Sequence, residues 1–238
     1  MAESDFRLRP RLTIEDCPGE VFSIRFSQDG KYLAVGCGDG TIRVYTVSED
    51  AAHLKYNLNV GPKDGLPMTA MRFRPVSARS KTQNVLLAVN ADGTAQHWHI
   101  TSGRRMHRIF DEENQLYCVD YTSSGDRFVA AGKDYSVKVY DEATKTLIAD
   151  MRGGFGNNSP GHSNRVFSVK FVKEDPNLVV SGGWDNTVQV WDTRTEHSIR
   201  SFYGPHVCGD SVDVINGQIV TGFVQYFMLA ALFSFNGD

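Results

Sequence analysis

The sequence predicts an all-β fold built from four similar four-stranded units and part of a fifth. Three observations predict it. Four segments, which begin at Val21, Met68, Leu116 and Val166, superimpose on one another; each contains an aspartate six positions before an aromatic residue; and no stretch has helical periodicity. Internal similarity with a period of roughly 40 to 50 residues is typical of repeat architectures.

The opening strand of each copy carries one extra residue. An undisturbed strand alternates with a period of two, whereas here the apolar residues are spaced by three and then by two. One inserted residue, a β-bulge, accounts for the gap of three. The residues that set this spacing are Val21, Ile24 and Phe26; Met68, Met71 and Phe73; Leu116, Val119 and Tyr121; and Val166, Val169 and Phe171.

Three further strands follow in each copy. The middle strands YLAVG, VLLAV, FVAAG and LVVSG are almost continuously apolar, which is typical of strands buried on both faces. A tight turn leads into the alternating strands TIRVY, TAQHW, SVKVY and TVQVW, and weakly patterned outer strands come last. The turn aspartates and their aromatic partners are Asp39 and Tyr45, Asp92 and Trp98, Asp134 and Tyr140, and Asp185 and Trp191.

The fourth copy resembles the WD40 family of β-propeller repeats most fully. Gly161-His162 precedes its first strand, and Trp191-Asp192 closes its third. The resemblance implies about four complete propeller blades plus a partial fifth, in a ring that is either closed or incomplete. It also implies a hydrogen-bonded chain that joins the strands of this blade through His162, Ser181, Asp185 and Trp191. The other copies lack the Gly-His dipeptide, so we expect their chains to be incomplete or replaced.

The copies set the boundaries of the predicted units. Residues 1–19 form an N-terminal segment, in which 9–14 are expected to supply an outer strand that finishes the last blade. The repeats occupy 20–222, and an apolar tail that diverges from the repeat occupies 223–238. The predicted blades are 20–62, 67–111, 115–152 and 161–203, with a partial fifth at 206–222.

The fifth copy lacks the turn aspartate and the six-residue spacing. Three explanations stay open: a truncated isoform or gene-model product, a closed ring of four or five blades, and an open fan completed by a partner or a second copy. The apolar tail favours the first, because an exposed apolar run is an aggregation hazard. Its functional alternative is a tail that binds a partner or touches a membrane, although such a short run cannot span a bilayer.

Composition excludes several classes of protein. The net charge of −3 comes from interspersed charges, so neither a nucleic-acid partner nor a membrane span is expected. The N-terminus has no apolar signal segment. The cysteines are widely spaced and expected to be reduced, which fits a cytoplasmic location, with the nucleus as the alternative; they are Cys17, Cys37, Cys118 and Cys208.

The sequence contains no catalytic motif. We expect that the protein is not an enzyme and that it binds neither a cofactor nor a metal. The turn aspartates recur with the fold, which indicates a structural task. His97 and His99 share one face of a strand and, with His107, suggest a metal site, but strand histidines without a metal are the favoured interpretation. The basic stretch 72–81 is interpreted as a solvated loop, with phosphate binding as the alternative.

The bulges predict a binding surface. Each bulge re-aims one side chain toward the mouth of the central channel, and the resemblance implies that such residues contact bound peptides; they are Phe22, Thr69, Tyr117 and Phe167. Packing against neighbouring blades is the open alternative. Arg25, Arg72 and Lys170 are polar neighbours that could add contacts. We expect a non-catalytic scaffold that binds partner proteins or peptides; the alternative is a substrate- or phospho-ligand-recognition subunit of a multi-subunit enzyme such as a ubiquitin ligase.

Overall fold

The computed structural model describes residues 10–59, 65–77, 82–153, 160–225 and 227–234. Across these ranges the regular elements are all β-strands, which form five antiparallel sheets in chain order. The all-β class predicted from the repeat is therefore confirmed. The described residues contain no helix with the length and apolar character needed to cross a membrane.

Each sheet is built from strands that follow one another along the chain. The first sheet contains β1–β4, at Val21–Phe26, Tyr32–Cys37, Thr41–Val47 and Ala52–Asn59. The second contains β5–β8, at Met68–Phe73, Val85–Asn90, Thr94–His99 and Arg104–Phe110. The third contains β9–β12, at Leu116–Tyr121, Arg127–Gly132, Val137–Asp141 and Leu147–Met151. The fourth contains β13–β16, at Val166–Phe171, Leu178–Gly183, Thr187–Asp192 and His197–Tyr203. The fifth contains β17–β19, at Val212–Ile215, Gln218–Gln225 and Phe227–Ser234.

The predicted bulges are present in all four complete sheets. The pairing register shifts by one residue in each opening strand, and the extra residues are Phe22, Thr69, Tyr117 and Phe167. In the third sheet, the backbone just before the opening strand lies close to the end of the middle strand. A Cβ added at Gly132 would lie 1.8 Å from the carbonyl oxygen of Gln115, so this position accepts only glycine.

The turn aspartates occupy equivalent positions in the four sheets. Each carboxylate accepts a hydrogen bond from the hydroxyl of the serine or threonine two residues later, at 2.6–2.8 Å. The intervening residue has a positive φ, which a tight turn of this kind requires. The aspartate and hydroxyl pairs are Asp39 and Thr41, Asp92 and Thr94, Asp134 and Ser136, and Asp185 and Thr187.

The core consists of apolar layers between consecutive sheets. We call the face that packs on the preceding sheet the leading face, and the opposite one the trailing face. Between the first and second sheets, for example, Ile42 and Val44 of the trailing face meet Met68, Met71 and Trp98 of the leading face. Similar layers join the second sheet to the third, the third to the fourth and the fourth to the fifth.

The leading face of the first sheet is uncovered along its opening strand. Val21, Ile24 and Phe26 are 46%, 54% and 58% exposed, whereas Met68 and Met71, at the positions equivalent to Val21 and Ile24, are fully buried. Within the described residues, no layer comparable to the other four joins the fifth sheet to the first. In the part of the chain that the structure describes, the blades therefore form an open fan of four four-stranded sheets and one three-stranded sheet.

The N-terminal segment covers part of this open face. Ile14 and Cys17 pack beside Val35 and Tyr45, and the Tyr45 hydroxyl donates to Asp16 at 2.6 Å. Residues 10–14 form no strand, so the predicted outer strand is not present in the described part of 9–14, and Arg9 lies outside the described residues. The segment instead uses its apolar side chains to bury the face that has no neighbouring sheet.

The apolar tail, which the sequence analysis sets apart from the repeat, belongs to the fifth sheet in its described residues. Its residues extend β18 and form β19, the third strand of the fifth sheet. In that sheet Ile219 pairs with Phe233, just as Val179 pairs with Trp191 in the fourth sheet. The ring of Phe233 lies against that of Phe202, with centroids 5.0 Å apart and ring planes tilted by 31°. Strand register thus places Phe233 at the position of Trp191, although the fifth copy has no turn aspartate six residues before it.

A buried polar cluster lies between the second and third sheets around Glu142. Its carboxylate accepts hydrogen bonds from His97 at 3.0 Å, Tyr121 at 3.2 Å and Arg74 at 3.1 Å, and Lys145 lies 2.7 Å away. Burial alone would raise the pKa of Glu142, but its hydrogen bond from His97 and the charge of Lys145 lower it to about 2. Burial lowers the pKa of His97, so its neutral imidazole donates through Nε2.

We predict that Glu142→Gln destabilises the fold in a pH-dependent way. The folded-state pKa lies below the ordinary value of 4.5, so this carboxylate stabilises the fold above that pH and loses its effect as the pH falls toward 2. The free energy of unfolding from urea titrations should fall by about 3 kcal/mol at pH 7 and by about half as much at pH 3. Glu112→Gln, at an exposed loop position, is the control. A loss independent of pH would contradict the assignment.

Candidate functional site

A cavity of 520 Å³ lies where the opening strands of the first four sheets converge. All four bulge residues line it: Phe22, Thr69, Tyr117 and Phe167. Phe22 is 52% exposed, and the other three are partly buried. The geometry thus brings together, at one end of the channel, the side chains predicted to contact a partner. Its volume lies within the range of ordinary ligand sites.

One wall of the cavity continues into a stack of rings. Tyr117 and Phe167 lie parallel with centroids 4.7 Å apart, and Phe167 stacks on Trp184 at 4.8 Å. Trp184 in turn stacks on His206 at 6.0 Å, beneath the guanidinium of Arg165. Phe167 and Tyr117 therefore contact neighbouring blades as well as the cavity, and the two interpretations of the bulge residues are compatible.

Thr69 contributes differently from the three aromatic bulge residues. Its hydroxyl lies 3.0 Å from the carbonyl oxygen of Val89 and 2.7 Å from that of Leu116. These contacts tie the second sheet to the third. Its hydroxyl is therefore already engaged within the blades, and a partner would meet mainly the rest of the side chain.

Charged side chains from four opening strands form the floor of the channel. Arg25, Arg72, Asp120 and Lys170 occupy the same position in their repeats, and Asp210, from the loop before β17, enters among them. Arg72 Nη2 lies 2.7 Å from one Asp210 carboxylate oxygen, and Lys170 Nζ lies 3.6 Å from the other. Arg25 also pairs with Asp210. Arg72 Nε donates to Asp120 at 3.2 Å.

Both carboxylates of this floor are held by donors. Burial favours protonation of Asp210, but the charges of Arg72 and Lys170 outweigh it and lower its pKa. Burial raises the pKa of Asp120, while each of its oxygens accepts from a donor, one from Arg72 and one from the backbone N–H of Phe171 at 3.0 Å. These contacts fit a carboxylate rather than a protonated acid. Burial lowers the pKa of Arg25, and the nearby charge of Arg72 adds to this effect.

The four side chains of the predicted chain in the fourth blade are hydrogen-bonded in sequence. His162 Nδ1 lies 2.8 Å from an Asp185 oxygen, and its Nε2 lies 2.7 Å from the Ser181 hydroxyl. Trp191 Nε1 donates to the same hydroxyl at 2.7 Å. Every polar side chain of the group therefore has a partner, which is the condition for burying such a network.

The second blade lacks this chain. Its strand pairing places Ala88 where the fourth blade has Ser181, and Trp98 where it has Trp191. Trp98 Nε1 is buried without a hydrogen-bond partner among the described residues. In the third blade Lys138 replaces the chain, with its ammonium 2.7 Å from Asp111 and 2.8 Å from Asp134.

The other candidate residues do not converge on a metal or phosphate site. His97 belongs to the Glu142 cluster, His99 bonds Ser102 at 2.7 Å, and His107 is exposed. No group of three metal-ligating side chains occurs in the described part of the chain. In the basic stretch, Arg72 pairs with Asp120 and Asp210, and Arg74 with Glu142, while 78–81 lie outside the described residues.

Three residues of the site were missed by sequence reasoning. Trp184 and His206 extend the ring stack, and Asp210 enters the channel floor. A tryptophan inside a tight turn, directly before Asp185, was a usable signal because no turn requires so large a side chain. Asp210 had no such signal, since it lies in a loop whose path only the folded structure shows.

Family comparison agrees with this architecture. The family model described as "WD domain, G-beta repeat" matches residues 9–46, 104–141 and 156–192. Each match ends with the turn aspartate and third strand of a blade. Together with the fan of blades, these matches show that the chain contains WD40 repeats.

Several characterised proteins are similar to this chain. It is 26% identical over 180 residues to Periodic tryptophan protein 2 homolog of Dictyostelium discoideum, covering 75% of this chain and 18% of that protein. It is 24% identical over 202 residues to U3 small nucleolar RNA-associated protein 21 of Saccharomyces cerevisiae, covering 85% and 19%. It is 27% identical over 223 residues to Guanine nucleotide-binding protein subunit beta-1 of Nicotiana tabacum, covering 87% and 54%. The chain thus spans between about a fifth and about half of these relatives.

We predict opposite effects for two substitutions at the serine position. Ser181→Ala leaves Trp191 Nε1 and His162 Nε2 buried without the hydroxyl, so the free energy of unfolding should fall by about 2 kcal/mol. Ala88→Ser offers Trp98 Nε1 an acceptor and should raise it by about 1 kcal/mol. Urea denaturation measures both. Ala130→Ser, at the equivalent position of the third blade, where Tyr140 stands in place of the tryptophan, is the matched control and should not stabilise. Equal effects of the two serine substitutions would contradict this interpretation.

Proposed function

We propose that this chain is a non-catalytic scaffold that binds partner proteins or peptides at the cavity of its channel mouth. The observation that carries the proposal is the convergence of Phe22, Tyr117 and Phe167, from three different blades, on one cavity. Aromatic side chains dominate the binding energy of protein interfaces because they bury much area at little entropic cost. Tyr117 and Phe167 are stacked on each other before any partner binds, so these two rings would need little rearrangement.

The names of two relatives support the proposal that this chain acts within a larger protein assembly. A guanine nucleotide-binding protein subunit and a U3 small nucleolar RNA-associated protein are, by their names, components of larger complexes. A cytoplasmic location is proposed for this chain, and the nucleolar term in the second name supports the nuclear alternative. Association through protein contacts with a ribonucleoprotein is compatible with the proposal.

A phospho-ligand subunit is less well supported. That alternative relied on the basic stretch, where Arg72 and Arg74 have carboxylate partners inside the propeller. Catalysis is likewise less well supported, because the charged groups of the channel floor are paired with one another. The cavity mouth presents aromatic surface instead.

We predict that partner capture depends on the aromatic bulge residues. The tagged full chain would be used in pull-downs analysed by quantitative mass spectrometry, alongside Phe22→Ala and Tyr117→Ala. Each variant should lower capture of a specific partner at least about tenfold, since a central aromatic contributes on the order of 2 kcal/mol. Phe110→Ala removes an exposed aromatic from an outer strand and should leave capture unchanged. Partners retained equally by all variants would contradict binding at this cavity, provided that thermal melting shows the variants folded.

A further inference from the structure

We propose that the channel-mouth cavity selects acidic peptides, by holding one aspartate or glutamate side chain against Arg25 beside an apolar neighbour on the aromatic wall. This inference rests on the proposed function and specifies the partner's chemistry. It follows from the charges of the channel floor, which do not balance. Among the described residues, Arg25, Arg72 and Lys170 pair there with two carboxylates, those of Asp120 and Asp210.

The unbalanced positive charge lies on the cavity side of the floor. Arg72 is held on both sides, by Asp120 and by Asp210, and its side chain is only 12% exposed. Arg25 has the most exposed side chain of the three cations, at 32%, and it lines the cavity. Arg25 is therefore the cation that a ligand reaches first.

Arg25 has hydrogen-bonding capacity to spare. Among the described residues, its guanidinium donates to the carbonyl oxygen of Ile24 at 2.7 Å and to Asp210. A guanidinium carries five N–H donors, and a carboxylate accepts two of them in parallel. A second carboxylate that enters the cavity can thus bind Arg25 without displacing Asp210.

The same floor discriminates against other charges. A cationic ligand would meet Arg25 directly, and it could use Asp210 only in competition with three cations already in place. A phosphate would bring a charge of about −2 to an excess of one positive charge, beside two carboxylates. A single carboxylate matches the excess.

The aromatic side chains that line the cavity provide the surface for the peptide's apolar residue. Phe22 projects from the first blade, and Tyr117 stacks on Phe167 from the third and fourth. These rings border the cavity that contains Arg25 and Asp210. A short peptide can therefore bury an apolar side chain among the rings while its acidic side chain reaches the floor.

Selection from an unbiased library tests the inference. Random octapeptides displayed on phage would be panned against the full chain, and the bound sequences should be enriched in aspartate or glutamate next to an apolar residue. For a selected synthetic peptide, replacing the acid by its amide should weaken binding at least about tenfold. Replacing it by phosphoserine should not restore the affinity.

Arg25→Gln should abolish this discrimination. The acidic and amide peptides should then bind with similar affinity, and retained binding of the amide form would show that the variant is folded. Arg104→Gln, on the exposed outer strand β8, is the matched control and should keep the preference. Phe22→Ala should weaken both peptides equally.

The outcomes separate the two proposals. Selected peptides without acidic residues, peptides rich in arginine or lysine, a preference for phosphoserine, or an acid preference unchanged in Arg25→Gln would overturn acidic selection and leave peptide binding intact. If panning yields no peptide whose binding is lost in Phe22→Ala, the peptide-binding function of the cavity fails, and the inference fails with it.

Discussion

The architecture depends on the burial of one sheet's apolar face by the next. A middle strand such as Val85–Asn90 is buried on both sides, so a single sheet cannot satisfy its own strands in water. Stacking consecutive sheets solves this for the interior blades, where the residues at the position of Ile24 are buried. In the first blade, Ile24 and Phe26 are exposed. The N-terminal segment covers part of that face, because its apolar side chains gain burial there that no neighbouring sheet supplies.

The bulge converts this repetitive packing into a binding site. Without the bulge, strand alternation would place Phe22 and Tyr117 on the same face of the sheet as the core residues of their strands. The extra residue breaks that alternation, and the blade keeps its core while presenting one side chain per repeat to the channel mouth. Because the charged residue three positions later also faces the channel, each opening strand delivers one lining side chain and one floor side chain. The blades therefore define the site's geometry, and local substitutions define its chemistry.

The repeats differ most in their polar networks. The fourth blade joins His162, Ser181 and Trp191, whereas the third uses Lys138 with acidic partners and the second leaves Trp98 Nε1 unpaired among the described residues. The turn aspartate, by contrast, bonds its neighbouring hydroxyl in all four complete blades. A local turn depends on residues two apart, so it survives in every copy. A chain across three strands needs several residue types at once and is lost when any one changes.

The amino-acid sequence was sufficient to predict the all-β class, the four blades and the bulges. It could do so because strand periodicity and turn chemistry are local and are repeated four times. Three features are visible only in the folded chain: residues 10–14 lie against the first sheet instead of forming a strand, Phe233 takes an aromatic position through strand register, and Asp210 enters among Arg25, Arg72 and Lys170. These outcomes depend on contacts between residues far apart in the chain, and no local pattern encodes which distant partner will be there.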